Sequence, residues 1–270
     1  GGDNVTGLEV GDHVVLTPAP PCGVCYYCQR DEHSLCVNTA SIMTNTLMDG
    51  STGLSSNGER VMRGVGVGAF AEYVITPANG AIKIDKDIPL ETACVIGCAL
   101  QTGAGAVLNT AEVEHGATVL IMGAGGVGIA AVQGARLAGA ALILVSDPVA
   151  ARREAAREFG ATHVIDPMAE DVVARSFELT NGIGMDYAFE TAGVGTLIDT
   201  GMNATRNGGQ IICVGAPPLD AGIEIPCTAL FTISGKKLCG CMLGSCNSLR
   251  EIPRMIALWQ AGKLDLEGMI

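Results

Sequence analysis

Four cysteines stand close together at Cys22, Cys25, Cys28 and Cys36, in the spacing C-x2-C-x2-C-x7-C. Short loops carry the first three sulfurs to one point and the fourth closes the set. Four thiolates in a tetrahedron are what a structural zinc ion prefers. Such a site has no open coordination position, so it holds a loop and performs no chemistry. The alternatives are unrelated thiols, disulfides or a redox pair; the last needs a neighbouring strand–helix–strand pattern, which is absent around the lobe. His33 lies inside the lobe, but the sulfurs already satisfy the metal, which leaves it as a surface residue. The chain has 11 cysteines, an odd number, and the others are scattered among apolar residues. That fits a reducing, cytoplasmic setting better than a secreted disulfide framework.

A second constellation is Gly123-Ala124-Gly125-Gly126-Val127-Gly128. It follows the apolar run Thr118–Met122 and opens a helical pattern. In a G-x-G-x-x-G turn, Gly123 permits the tight bend and Gly125 lets backbone approach a pyrophosphate. Gly128 lets the helix pack on the strand. The helix N-terminus, including Gly126 and Val127, then presents free N–H groups to the phosphates. The motif is weak alone; here a strand precedes it and a helix follows. Asp147 ends the next strand, roughly 20 residues on, where a carboxylate accepts from ribose hydroxyls and repels a 2′-phosphate. That favours NAD over NADP. Arg152 nearby is the counter-indication, since arginine can hold a 2′-phosphate; a solvated ion pair on a charged helix is its plainer reading.

These groups need elements to hold them. Asp12–Leu16 and Phe70–Thr76 read as strands of a β-rich unit, and Leu90–Leu100 reads as helical. From Thr118 onward strands and helices alternate. Strands are expected at Thr118–Met122, Leu142–Ser146, Thr162–Ile165, Met185–Glu190 and Gln210–Val214, and helices over 126–138 and 149–159. The second helix places Arg152, Arg153, Glu154, Arg157 and Glu158 on its wet face. This is the signature of a parallel, doubly wound α/β sheet. Apolar residues at Ile252, Met255, Ile256 and Trp259 suit one face of a helix over 249–262. At 270 residues, two domains are expected. A net charge of −12 with no basic cluster disfavours nucleic acid. The most apolar stretch, 117–145, is interrupted by Gln133 and Arg136, so no membrane span is expected.

A four-cysteine lobe followed by a G-x-G-x-x-G unit resembles the layout of zinc-dependent medium-chain alcohol dehydrogenases. More pieces match in order: Gly11-Asp12-His13-Val14, Phe70-Ala71-Glu72-Tyr73, Gly97-Cys98-Ala99-Leu100-Gln101-Thr102-Gly103, Asp186–Glu190, and Val214-Gly215-Ala216-Pro217-Pro218. The resemblance implies a partial, β-rich GroES-like catalytic domain over 1–100, with the zinc lobe at 22–36. It implies a Rossmann NAD-binding domain over 101–243 and a return towards the catalytic domain over 244–270. It implies Cys98 as a thiolate ligand of a catalytic zinc, and Thr102 and Val127 against the nicotinamide. Val214 and Gly215 would offer backbone groups to the carboxamide. It also implies Zn2+ and NAD as cofactors and an alcohol or aldehyde as substrate. A homodimer follows from pairing through an edge strand near Leu238–Leu243.

In that family zinc acts as a Lewis acid on the alcohol oxygen and a hydride passes to the nicotinamide. The family's other two catalytic-zinc ligands, a cysteine and the histidine of a Gly-His-Glu motif, have no counterpart in the chain. With Gly1 in place of Met and a stop in an apolar stretch at Ile270, the chain reads as lacking both ends of such an enzyme. The rival readings are a zinc-free quinone or enoyl reductase of the same superfamily, against which the cysteine lobe and Cys98 argue, and a non-catalytic nucleotide-binding zinc protein. The particular alcohol is not legible.

Overall fold

Strand β1 (His13–Leu16) is the first regular element in a computed structural model that describes residues 2, 4–225 and 227–270. Beyond the cysteine lobe come a short helix, α1 (Ala40–Thr44), and a two-residue hairpin, β2 (Ser55–Ser56) with β3 (Glu59–Arg60). Strand β4 (Ala81–Ile84) then closes antiparallel on β1, His13 opposite Ile84 and Leu16 opposite Ala81. Val15, Ile82 and Ile84 are buried at this pairing.

The expected strand over 70–76 is not formed. Those residues run as bends and irregular chain, with Phe70, Tyr73 and Ile75 exposed. A strand exists only where a neighbour supplies the other half of its ladder, and no strand among the described residues pairs with this segment. Its backbone is held instead from the side: the buried Arg63 guanidinium donates to the carbonyls of Thr52, Gly66, Val67 and Ile75.

The helical pattern after Pro89 is longer than expected. It starts as α2 (Leu90–Ala93), loosens into a π-helical turn over Ile96–Leu100, and continues as α3 (Gln101–Gly105). A second π-helical turn follows over Ala106–Thr110. This run of 21 residues, rather than 117–145, is the one stretch among the described residues long and apolar enough to cross a membrane; 61% of its most apolar window is buried inside the protein, as in a core helix.

The chain divides into two units, one comprising the residues through Cys98 with Cys246–Gly268 and Ile270, the other Ala99–Ser245 with Met269. The second unit is built on β5 (Thr118–Met122), whose Val119, Leu120 and Ile121 have no exposed surface. It continues through α4 (Gly126–Ala138), β6 (Leu142–Ser146), α5 (Ala150–Phe159) and β7 (His163–Ile165). Then come α6 (Val172–Leu179), β8 (Met185–Glu190), α7 (Gly195–Ala204), β9 (Thr205–Cys213), α8 (Thr228–Ser234) and β10 (Lys237–Gly240). The six strands form one parallel sheet in the order β10-β9-β8-β5-β6-β7. Buried on both faces, the central strands are apolar throughout rather than alternating. Strand β9 begins five residues earlier than its apolar run suggests, because the Thr205–Gly209 segment joins β8 through an irregularity in register. The last helix, α9 (Ser248–Gln260), belongs to the first unit; Asn247 caps it by accepting from the Leu249 N–H.

Candidate functional site

The sheet order places β5 between β8 and β6, so the chain reverses its direction of growth at the C-terminal end of β5. Open α/β sheets bind ligands at that point. The glycine loop lies there. Gly123 takes φ 101°, which L side chains avoid, and its N–H donates to the Ser146 carbonyl at 2.8 Å. A Cβ on Gly128 would stand 1.9 Å from the Gly123 oxygen, so only glycine lets the helix come this close. A Cβ on Gly125 would meet nothing within 4 Å, so the loop faces open space there. Gly126 is not sterically required, since its Cβ would make ordinary contact with Ala99 at 3.6 Å. The Thr191 hydroxyl ties the loop to the next crossover, donating to the Met122 and Gly123 carbonyls, each at 2.9 Å.

Asp147, one residue beyond β6, is 2% exposed. Its Oδ2 accepts from the Ala124 N–H and its Oδ1 from the Val149 N–H, both at 2.8 Å. The carboxylate therefore braces the glycine loop, and each oxygen retains a further lone pair. Arg152 is largely exposed, with its guanidinium 3.9 Å from Asp147 Oδ2. Arg153 does not share the wet face on which the sequence places it. Its side chain is 16% exposed and folds back under the loop, donating to the Asp147 carbonyl at 2.7 Å and pairing with Asp166 at 3.0 Å. Burial here follows from acceptors at two strand ends, which helical periodicity does not register.

At the neighbouring strand ends, Val214 and Gly215 both donate their N–H groups to the Glu190 carbonyl at 2.9 Å. They retain only carbonyls to offer a ligand. The buried Glu190 carboxylate accepts from the N–H groups of Ala192 and Val194. Glu190 organises this loop as Asp147 organises the other, and the sequence shows the same signal at both: an acid closing an apolar strand. Thr102 is half-buried in α3. The next residue, Gly103, is packed so tightly on the Val127 carbonyl that a Cβ would lie 2.1 Å from it, so α3 and the first turn of α4 meet backbone to backbone at Gly103.

In the first unit, the thiol sulfurs of Cys22, Cys25, Cys28 and Cys36 all lie within 4.8 Å of one another. Cys22–Cys28 is 4.0 Å and Cys25–Cys36 is 3.9 Å. Sulfurs bound at about 2.3 Å to one tetrahedral zinc stand about 3.8 Å apart, so the donor set fits that ion. Backbone N–H groups of Cys22 and Cys25 point at the Cys36 and Cys22 sulfurs, at 3.2 and 3.3 Å. Burial pushes the Cys28 thiol up to about 12 and raises Cys36, whereas N–H groups of Cys28 and Val37 pull Cys25 down to about 6. His33 is less exposed than the sequence suggests: its Nδ1 lies 3.1 Å from Asp31 Oδ1, at ion-pair distance without hydrogen-bond alignment.

Cys98 sits apart from that cluster, exposed, in the π-helical turn over Ile96–Leu100. A Cβ on the preceding Gly97 would be 2.2 Å from the Leu16 carbonyl, so β1 fixes the helix at this residue. Among the described residues, the four-cysteine lobe is the one group of three or more potential ligands, and Cys98 does not belong to it.

Residues 126–261 match the family described as zinc-binding dehydrogenase, and residues 1–86 match the alcohol dehydrogenase GroES-like domain. Alcohol dehydrogenase B of Mycobacterium tuberculosis is 34% identical over 273 residues, covering 100% of this chain and 72% of that protein. The NDMA-dependent alcohol dehydrogenase of Amycolatopsis methanolica is 35% identical over 272 residues, covering 100% and 73%. The crystal structure of benzyl alcohol dehydrogenase from Acinetobacter calcoaceticus superposes with a TM-score of 0.86 at 34% identity, covering 98% of this chain and 71% of that one. A GroES-like unit joined to a doubly wound, parallel-sheet unit thus defines an oxidoreductase. The chain belongs to the zinc-dependent medium-chain alcohol dehydrogenase family.

Proposed function

We propose that this protein transfers a hydride between an alcohol and NAD. The observation that carries the proposal is the glycine loop at the sheet's switch point, braced by the carboxylate of Asp147. The open space at Gly125 takes the pyrophosphate, with the N-terminus of α4 beside it. Asp147 accepts from the adenosine ribose with its remaining lone pairs, and Arg152 flanks it. Thr102 and Val127 contact the nicotinamide, and the Val214 and Gly215 carbonyls accept from its carboxamide. When bound, NAD accepts or returns the hydride, while the protein binds and orients it.

Zinc has two places in this reading. Cys22, Cys25, Cys28 and Cys36 hold a structural ion. Cys98 is a thiolate ligand of a catalytic ion, which supplies Lewis acidity when bound. Cys98 alone does not complete that ion's coordination, which takes three protein ligands.

The protein also forms a homodimer. Among the described residues, strand β10 is an edge, paired on one side with β9 only. Its unpaired backbone groups are satisfied by the same strand of a second copy across a two-fold axis. A monomeric mass in solution overturns that assembly.

The protein should bind NADH, contain zinc by elemental analysis and reduce NAD in the presence of a primary alcohol. Benzyl alcohol is the first choice, because a structural relative is named for it. NDMA is added as a separate arm, because another relative is named for its dependence on it. Failure to bind NADH, or alcohol-dependent turnover unaffected by zinc removal, overturns the reading.

A further inference from the structure

The ends of β6 and β7 carry a charge arrangement that nucleotide binding alone does not require. Ser146 pairs with Ile165, and each is followed by an aspartate, Asp147 and Asp166. The Asp147 N–H donates to the Ile165 carbonyl at 3.3 Å, so the two acids leave the sheet side by side. Asp147 faces the glycine loop. Asp166 faces the other way, with its Oδ1 accepting from the Met168 N–H at 2.9 Å and its Oδ2 on Arg153 at 3.0 Å. The same guanidinium reaches the Asp147 carbonyl. Two arginines and two aspartates thus share one corner. Arg152 is exposed beside Asp147, while Arg153 is drawn in and neutralised by Asp166.

Arginine is the side chain best suited to a phosphate, because its planar fork donates two parallel hydrogen bonds. An unpaired guanidinium one residue from Arg152 would make this corner attractive to a 2′-phosphate despite Asp147. We propose that Asp166 is a specificity-determining residue for the nucleotide: by holding Arg153 in an ion pair it withholds that guanidinium from a 2′-phosphate. Asp166 acts through Arg153 and touches no part of the ligand. Arg153 in turn positions Asp147 through its carbonyl. This inference rests on the dinucleotide site proposed above.

The test measures NADH and NADPH affinities, by nucleotide fluorescence, for the wild-type protein, Asp166→Asn, Arg153→Met and the double variant. Asp166→Asn should shift the NADPH-to-NADH affinity ratio towards NADPH by on the order of tenfold, the scale of one added charge-assisted contact. The shift should shrink as salt is raised and be absent in the Arg153→Met background. Arg153→Lys, which keeps the charge and loses the fork, should weaken NADH while leaving the ratio near wild type. Equal weakening of both nucleotides by Asp166→Asn means a merely structural role and overturns the proposal, as does a ratio shift that survives in the double variant. A wild-type protein that prefers NADPH refutes the NAD assignment alone, because the mutational shift still supports the ion-pair argument. A protein that binds neither nucleotide refutes both.

Discussion

The cysteine lobe and the glycine loop solve the same problem, holding irregular chain in one shape, by opposite means. The lobe converges four ionisable side chains on a point. With two of its sulfurs pushed up by burial, it is at odds with itself until a cation arrives. The loop uses main chain: a left-handed glycine, a helix packed to backbone contact, and the Asp147 carboxylate on an N–H group. It is finished before any ligand binds. One site should therefore depend on its occupant for order, and the other should only select one.

The largest effect expected from this contrast is on the lobe. Apparent zinc-binding free energies of about 10–16 kcal/mol in zinc-finger peptides match or exceed the stability of a whole domain. Cys28→Ser, or exhaustive chelation, should release the ion and melt the lobe, seen as a lower Tm and rapid proteolysis within 22–36. NADH binding should persist. Loss of NADH binding along with zinc would break the comparison, because the two regions would then share one fate.

Next in size is Gly128→Ala. The added Cβ lies 1.9 Å from a backbone oxygen that cannot swing away. Overpacking of this kind costs about 1–3 kcal/mol, and occasionally more. The variant should lose both thermal stability and NADH binding while keeping its zinc. Gly126→Ala is the control: its Cβ meets only ordinary contact, and stability should hold.

A smaller and sharper effect is expected at Asp147. Asp147→Asn keeps an acceptor for the Ala124 N–H and removes the charge. Hydrogen bonds to a charged group contribute about 1.5–3 kcal/mol, so NAD should weaken about tenfold or more relative to NADP. An unchanged ratio with an unchanged Tm would leave the acid with a bracing role only.

How much of this was legible beforehand differs between the two regions for a physical reason. β5, α4, β6 and β8 have the bounds expected from the sequence, because a strand buried on both faces must be an unbroken apolar run and G-x-G-x-x-G announces the turn between strand and helix. Cys22, Cys25, Cys28 and Cys36 converge as their spacing requires. Pattern reading failed where structure depends on a distant partner. Phe70–Thr76 has strand-like residues and no ladder. Arg153 follows Arg152 on a charged helix, yet is drawn in by acceptors at two strand ends. The N–H groups of Val214 and Gly215 are taken by Glu190. Cys98 shows the limit from the other side: nothing local separates it from Cys94, four residues earlier and also exposed, and only family resemblance assigns it a role.

The least effect, and the finest test of the contrast, comes from two ion pairs of unequal burial. In the sheet unit, Asp186 accepts from the Thr118 N–H and hydroxyl and from Arg206 at 2.6 Å. Burial pushes its carboxyl up, but those donors outweigh burial and leave it below its ordinary 3.8. Beside the lobe, Asp31 is also lowered, chiefly by Arg250 at 2.9 Å, but both partners are more than half exposed. A carboxyl depressed by folding stabilises the protein above its unfolded value, and that contribution disappears as pH falls through the folded value. The difference in Tm between wild type and Arg206→Met should therefore be full near neutrality. It should close as pH falls through the lowered value of the Asp186 carboxyl, below its ordinary 3.8, with little response to salt. Arg250→Met should give a much smaller difference that about 0.5 M salt erases, as for other exposed pairs. A pH-independent Arg206→Met deficit would mean that the arginine acts by packing alone. A salt-resistant Arg250→Met deficit would mean that the lobe's surroundings are as rigidly held as the sheet, and the division of labour between cation and main chain would lose its basis.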